Sequence, residues 1–184
     1  MLLMLLYCML APSFNSFYLL ILVFITNFFN GFLKYSIMEP LYKKLGNKEL
    51  PILGIGSRPP GAASCQFNID PKHKKATSFG MPSGHSQIIW TIGTYIICNL
   101  VNRFINNIKQ RENKTGAIDI LENIWIFISI GLLFSTMIYI SYSRVYIEGC
   151  HTIQQVVVGG VIGIVLGFIA FYFEADIRRS IFGS

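Results

Sequence analysis

"TIQQVVVGGVIGIVLGFIAFYF", residues 152–173, is an apolar stretch long enough to cross a bilayer, which takes about 20 residues of helix. Three further stretches of similar character occupy residues 17–33, 84–102 and 124–142. Hydrophobic residues make up 53% of the 184-residue chain and charged residues only 13%, roughly half the share that is usual in soluble domains. The sequence therefore predicts one all-α membrane domain, residues 1–184, with four transmembrane helices.

The remaining segments are too short or too polar to span a membrane. Residues 1–11 are apolar but short, and we predict a short N-terminal apolar helix there. Residues 34–82 are predicted to form a long basic loop and residues 143–151 a short turn, both on one side of the membrane. The polar linker 103–121 and the basic C-terminal end then lie on the other side.

Three glycines repeat at intervals of four residues in the fourth apolar stretch. Gly159, Gly163 and Gly167 share one face of the predicted helix. Small residues in this arrangement let two membrane helices approach closely. The pattern predicts a packing face rather than a lipid-facing surface.

Charge and cysteine content narrow the function classes. The formal net charge is +6, which fits a membrane surface or a phosphate-bearing substrate. Nucleic acid is not predicted as a partner, because most of the protein surface would face lipid. No CxxC pair and no carboxylate cluster occur, so neither a metal nor another cofactor is predicted. Cys65 and Cys150 lie in loops on one side and could pair there.

Two histidines and two arginines are predicted to meet at one membrane face. His85 begins the second apolar stretch, His151 begins the fourth, Arg144 ends the third, and Arg58 lies in the long loop. The helix N-terminus at residues 83–86 offers free N–H groups that favour an anion. One imidazole can attack phosphorus while the other protonates the leaving oxygen. Arginines can hold the phosphoryl oxygens with forked hydrogen bonds.

Three motifs carry a resemblance to a known family. "SRPP" at 57–60, "MPSGHSQ" at 81–87 and "YSRVYIEGCHTIQQ" at 142–155 resemble the signature motifs of the type 2 phosphatidic acid phosphatases. The likeness covers roughly residues 30–165 and implies a multi-pass membrane phosphatase. The family usually places its active site on the lumenal or extracytoplasmic face, and the same side is expected here.

The resemblance implies a role for each matching residue. His151 would be the nucleophile that forms a phosphohistidine, and His85 would be the general acid. The phosphoryl oxygens would be bound by Arg58, Arg144, Ser83, Gly84 and a lysine. Ser83 also stands where a helix N-cap residue is expected.

The lysine of the first motif is displaced in this sequence. The family pattern puts it seven residues before the arginine, where this chain has Pro51. The context "NGFLK" at 30–34 is similar to the lysine-bearing helix end of the family, so Lys34 is the favoured candidate. Lys48 and Lys44 are the alternatives.

The third motif departs from the family pattern twice. Six residues, not five, separate Arg144 from His151, and a one-residue bulge in the turn could absorb the difference. Gln155 stands where the family has an acid, on the same helix face as His151. Its carbonyl can hold an imidazole tautomer, and Glu148 is an alternative orienting group.

Motif detail favours one substrate class. "HTIQQV" and the glutamine after "GHS" are similar to dolichyl diphosphatases. The predicted function is therefore hydrolysis of a polyprenyl (dolichyl-type) diphosphate without a metal. Phosphatidate hydrolysis and lipid phosphotransfer are alternative reactions. A catalytically silent membrane scaffold or lipid-binding protein is the alternative from another class.

Overall fold

The computed structural model describes residues 13–62, 78–110 and 117–182. Within these ranges, four helices are long and apolar enough to cross a membrane, namely Phe14–Lys44, Gly84–Lys109, Ile120–Ile147 and Ile153–Ile181. The described residues contain no β-strand, and their only bridge joins Leu50 to Gly54. The predicted all-α membrane fold is confirmed. The N-terminal apolar segment 1–11 lies outside the described residues.

The spans are built from five α-helices and two π-helical segments. In chain order these are α1 (Phe14–Phe32), π1 (Leu33–Met38), α2 (Glu39–Lys44), α3 (Gly84–Gln110), α4 (Ala117–Tyr142), π2 (Ser143–Ile147) and α5 (Ile153–Phe182). Helix α1 begins at a reciprocal cap, in which Ser13 Oγ accepts from the Ser16 N–H at 3.2 Å. The Ser16 hydroxyl oxygen accepts from the Ser13 N–H at 3.0 Å.

The helices extend beyond the predicted spans. Residues 34–44 were predicted as loop but are helical, and the linker predicted at 103–121 is mostly helix. The physical reason is that backbone hydrogen bonds do not require apolar side chains, so an apolar run marks only the membrane-crossing part of a helix. Past that run, Arg103 pairs with Glu122 at 2.6 Å and joins the ends of α3 and α4.

Helix α3 lies at the centre of the bundle and makes its most extensive contact with α5. The glycines of α5 allow this approach, and their role as a packing face is confirmed. A Cβ added to each would lie 2.5 to 2.7 Å from a backbone carbonyl oxygen of α3 or of Ser83 just before it, in the pairs Gly159–Ser83, Gly163–Gln87 and Gly167–Thr91. A real Cβ cannot sit at these distances, so any larger residue would push the two helices apart.

Polar contacts fix the opposite end of the bundle. The Tyr18 hydroxyl donates to the Ala170 carbonyl oxygen at 2.6 Å and holds α1 against α5. The Tyr95 hydroxyl donates to the buried Glu174 carboxylate at 3.0 Å, and Arg178 pairs with the same carboxylate at 2.7 Å. The two tyrosine bonds join different helices, and the Arg178–Glu174 pair lies within α5 beside them, at the end remote from the predicted site.

The glycine face yields a stability prediction. We expect Gly163→Ala to lower the free energy of unfolding by about 1–3 kcal/mol, because its Cβ would overlap the Gln87 carbonyl oxygen. Gly131→Ala is the matched control, since a Cβ there meets nothing within 4 Å. The control should be neutral or stabilising by up to about 1 kcal/mol. Unfolding of the detergent-solubilised variants measures both, and equal effects would contradict the packing role.

Candidate active site

Two of the three predicted phosphate-binding cations, Lys34 and Arg144, lie on π-helical segments. Lys34 lies in π1, and its side chain is buried. Arg144 lies in π2. A π-helix accommodates one more residue per turn than an α-helix, and such segments are frequent at functional sites. The extra residue between Arg144 and His151 falls in the stretch that begins with π2.

The turn after π2 folds back on itself. The Arg144 carbonyl oxygen accepts from the N–H groups of Cys150 at 3.1 Å and His151 at 3.2 Å. Gly149 has φ +59°, a left-handed conformation that glycine adopts without a steric penalty. The backbone of Arg144 is thereby bonded directly to the backbone of His151, although six residues separate them.

A cavity of about 430 Å³ lies beside this turn. Five of the predicted site residues line it, namely Lys34, Arg58, Gly84, His85 and His151. Lys44 and Lys48 do not, so of the three candidate lysines the structure brings only Lys34 to the histidines. Asn27 and Gly31 of α1 and Ile88 of α3 complete its membrane side.

The two histidines occupy different environments. His85 is exposed at the cavity, in the first turn of α3. His151 is only 3% exposed. Burial lowers the pKa of His151 to about 4, and the nearby positive charges of Arg58 and Lys34 act in the same direction. The hydrogen bond to Gln155 opposes this shift. His151 is therefore a neutral imidazole at physiological pH.

Gln155 fixes the tautomer of that imidazole. Its side-chain Nε2 donates to the carbonyl oxygens of Ile55 at 2.9 Å and Ser57 at 2.7 Å. These two bonds identify Nε2 as the amide nitrogen. The Gln155 Oε1 atom, which faces His151, can therefore only accept a hydrogen bond. Oε1 lies 2.9 Å from His151 Nδ1, so Nδ1 carries the proton. The lone pair of His151 is then on Nε2.

The structure separates the two candidates for the orienting group. The Gln155 side chain is hydrogen-bonded to His151, whereas the Glu148 carboxylate lies 2.6 Å from Arg144 Nη1. The prediction that Glu148 orients the imidazole is wrong, because the tight turn directs Glu148 back along π2. The backbone of Gln155 also joins α5 to the start of α3, since its carbonyl oxygen accepts from the Ser83 N–H at 3.0 Å.

Arg58 is held by two segments at once. Its Nη2 donates to the Ser78 hydroxyl oxygen at 2.9 Å, and its Nη1 donates to the Cys150 carbonyl oxygen at 3.1 Å. These bonds orient the guanidinium at the cavity. Sequence reasoning missed Ser78, because a serine in a loop gives no signal that it anchors a residue 20 positions earlier.

Two predicted residues lie beside the cavity rather than in its lining. Arg144 is close enough to interact electrostatically with Arg58 and His85. Ser83 directly precedes α3, and its carbonyl oxygen accepts the Gln87 N–H at 3.0 Å. Its Oγ is buried and has no hydrogen-bond partner within the described ranges. The prediction that this hydroxyl caps the helix is therefore wrong, because Oγ does not reach the first-turn N–H groups.

An amide pair under the cavity was also missed. Asn30 Nδ2 donates to Gln87 Oε1 at 2.7 Å, a buried bond between α1 and α3. Asn30 precedes Lys34 by one helical turn. The Asn30–Gln87 bond therefore fixes the orientation of the helix that continues into π1 and carries Lys34. The available signal was a polar residue inside an apolar span, which is costly unless it has a partner.

Comparison with known proteins assigns the chain to a family. The PAP2 superfamily matches residues 51–179, the part that contains the cavity's arginine and both of its histidines. The chain belongs to the PAP2 superfamily. No solved structure matches this superfamily member.

Three proteins similar to this chain share one name. Dolichyldiphosphatase 1 of Rhinolophus ferrumequinum is 35% identical over 107 residues, and that of Homo sapiens is 34% identical over the same length. The mouse protein is 35% identical. Each alignment covers 58% of this chain and 41% of the relative. The matched region thus spans about two-fifths of the length of these relatives.

Among the described residues, no group of three or more His, Cys, Asp or Glu side chains is placed to hold a metal ion. The side chains that line the cavity include two cations, two imidazoles and two amides but no carboxylate, a set suited to an anion.

The Gln155 network yields a second prediction. We expect Gln155→Glu to lower the free energy of unfolding by about 1–3 kcal/mol, because a carboxylate cannot donate to the Ile55 and Ser57 carbonyl oxygens. Gln154→Glu makes the same change one residue earlier, away from His151, and should cost less. Thermal unfolding at pH 7 measures both. If Gln155→Glu is as stable as Gln154→Glu, the amide is not required.

Proposed function

We propose that this protein is a membrane lipid phosphatase that hydrolyses a polyprenyl diphosphate through a phosphohistidine on His151. The observation that carries the proposal is one cavity, at one end of an apolar helix bundle, shared by two histidines, Lys34 and Arg58. Membership of the PAP2 superfamily supports the reaction class. Metal-independent catalysis remains part of the proposal, to be tested with a chelator.

The first step is attack by His151. Its Nε2 lone pair forms a bond to the terminal phosphorus as the bond from phosphorus to the leaving oxygen breaks. His85 gives its proton to that oxygen, which leaves as the lipid monophosphate. Lys34 and Arg58 stabilise the negative charge on the phosphoryl oxygens as the transition state forms. Protonation of His151 at pH values below about 4 removes the attacking lone pair, so the first step is lost as pH falls through that value.

The second step is hydrolysis of the phosphohistidine. His85, now neutral, takes a proton from water as the water oxygen bonds to phosphorus. The bond between phosphorus and His151 Nε2 breaks, and inorganic phosphate leaves. The proton on His151 Nδ1 stays with Gln155 Oε1 as its acceptor throughout, so the histidine returns to its starting tautomer.

Two observations support a polyprenyl diphosphate as the substrate. The similar proteins are named Dolichyldiphosphatase 1. The cavity also borders the membrane helices through Asn27, Gly31 and Ile88. A lipid chain could therefore remain in the bilayer while its diphosphate reaches Lys34 and Arg58.

We also place the cavity on the lumenal or extracytoplasmic side. Cys150, next to the proposed nucleophile, is disulfide-bonded, and disulfides persist in oxidising compartments. Cys65, the partner considered from the sequence, lies outside the described residues. A His73→Cys variant in sealed vesicles whose lumenal or extracytoplasmic face points outward should react with a membrane-impermeant thiol reagent. Reaction only after permeabilisation would place the loop on the cytoplasmic side.

The histidine assignments predict distinct losses of activity. We expect His151→Ala to abolish phosphate release from a polyprenyl diphosphate, and His85→Ala to slow it about 10²- to 10⁴-fold. His73→Ala removes the third histidine and should leave the rate unchanged. The purified variants are assayed for phosphate release in EDTA. Normal turnover by His151→Ala would disprove the nucleophile assignment.

A substrate panel tests the lipid class in the same assay. Polyprenyl diphosphate should be hydrolysed with a higher kcat/KM than phosphatidate. A preference for phosphatidate would exclude the diphosphate as the main substrate. Transfer of phosphate to an added lipid acceptor would identify a phosphotransferase, and no release from any lipid phosphate would favour a scaffold.

A further inference from the structure

Glu148 is bonded at both carboxylate oxygens. Its Oε2 lies 2.6 Å from Arg144 Nη1, and its Oε1 accepts from the Ser143 hydroxyl at 3.1 Å. The Arg144 side chain is 13% exposed and that of Glu148 34%. A carboxylate held at both oxygens by its own segment provides a fixed anchor for the guanidinium.

Arg144 is held at one edge and has a buried donor at the other. Its Nε is buried and has no hydrogen-bond partner in the part of the chain that the structure describes. In a planar guanidinium, the Nε–H and one N–H of the neighbouring Nη2 point the same way, which matches two oxygens of a phosphoryl group. Since Glu148 bonds to Nη1, the carboxylate does not occupy the Nε edge.

The backbone places Arg144 beside the proposed chemistry. The Arg144 carbonyl oxygen accepts from the N–H of His151 at 3.2 Å, which places the base of the Arg144 side chain beside the proposed nucleophile. Arg144 also interacts electrostatically with His85, which lines the cavity. The Arg144 backbone is therefore fixed next to His151, and its guanidinium lies near His85.

We propose that Glu148 is a positioning residue, which anchors Arg144 through Nη1 so that its Nε edge is presented to the phosphoryl group of the substrate. The inference rests on the proposed phosphatase function and adds a residue to that site. An arginine fixed in advance loses less conformational freedom when the anion binds. The opposite role, in which Glu148 competes with substrate for Arg144, predicts the opposite change on removal of the carboxylate.

Kinetics of matched variants test the proposal. We expect Glu148→Ala to lower kcat/KM roughly 10- to 100-fold, as expected for a misplaced binding group. Glu148→Gln keeps an oxygen acceptor and should retain most of the activity. The double variant Glu148→Ala, Arg144→Ala should have the same kcat/KM as Arg144→Ala alone, because each substitution removes the same Glu148–Arg144 interaction. Glu122→Ala, which breaks the Arg103 pair in another part of the bundle, should have no effect.

Other kinetic outcomes would overturn the proposal. A lower KM in Glu148→Ala would mean that the carboxylate competes with substrate. An unchanged kcat/KM would mean that the pair is only a surface contact. If Glu148→Ala lowered the activity of Arg144→Ala further, Glu148 would act through some other group.

A binding measurement separates this inference from the proposed function. Inorganic phosphate should raise the Tm of the wild-type protein and of Glu122→Ala, but raise it less in Glu148→Ala and Arg144→Ala. This test does not depend on turnover, so it still applies if no lipid phosphate is hydrolysed. Equal stabilisation of wild type and Glu148→Ala, or no stabilisation of wild type, would overturn the positioning role.

Discussion

The site depends on the close approach of α3 and α5. Three glycines of α5 face backbone carbonyl oxygens of α3 and of Ser83 just before it, with no room for a Cβ between them. Within a bilayer, helices gain little from burying apolar surface against each other, so close backbone packing carries much of their association. The approach also lets the Ser83 N–H bond to the Gln155 carbonyl oxygen at 3.0 Å. His85 at the start of α3 and His151 just before α5 therefore share one cavity.

Gln155 then connects the helix to the loop. One amide joins the imidazole of His151 to the carbonyl oxygens of Ile55 and Ser57. A carboxylate at the same position could accept from the imidazole but could not donate to the two carbonyl groups. Compared with the family's acid, the glutamine gives up a charge that would stabilise the imidazolium and gains a fixed loop beside Arg58.

The π-helical segments explain how unusual motif spacing can still produce an ordered site. Lys34 lies on π1, which prolongs a membrane span, and not in the loop near Arg58 where the family pattern puts its lysine. Arg144 lies on π2, before a turn that closes through Gly149. Both cations belong to helices whose hydrogen-bond pattern changes where the apolar run ends, so each is placed by a span and not by a free loop.

The sequence by itself determined the four spans, the glycine face, and the two histidines and Arg58 that meet at the cavity. These features are local, since the length of an apolar run, a four-residue repeat and a short motif can each be read from neighbouring positions. Helix ends were less predictable, because backbone hydrogen bonding continues through polar residues after Phe32 and Val101. Only the tertiary structure decided which lysine joins the histidines, that Ser78 anchors Arg58, that Asn30 bonds to Gln87, and what Gln155 donates to. Those hydrogen bonds join residues 20 to 100 positions apart, and their geometry exists only once the helices have packed.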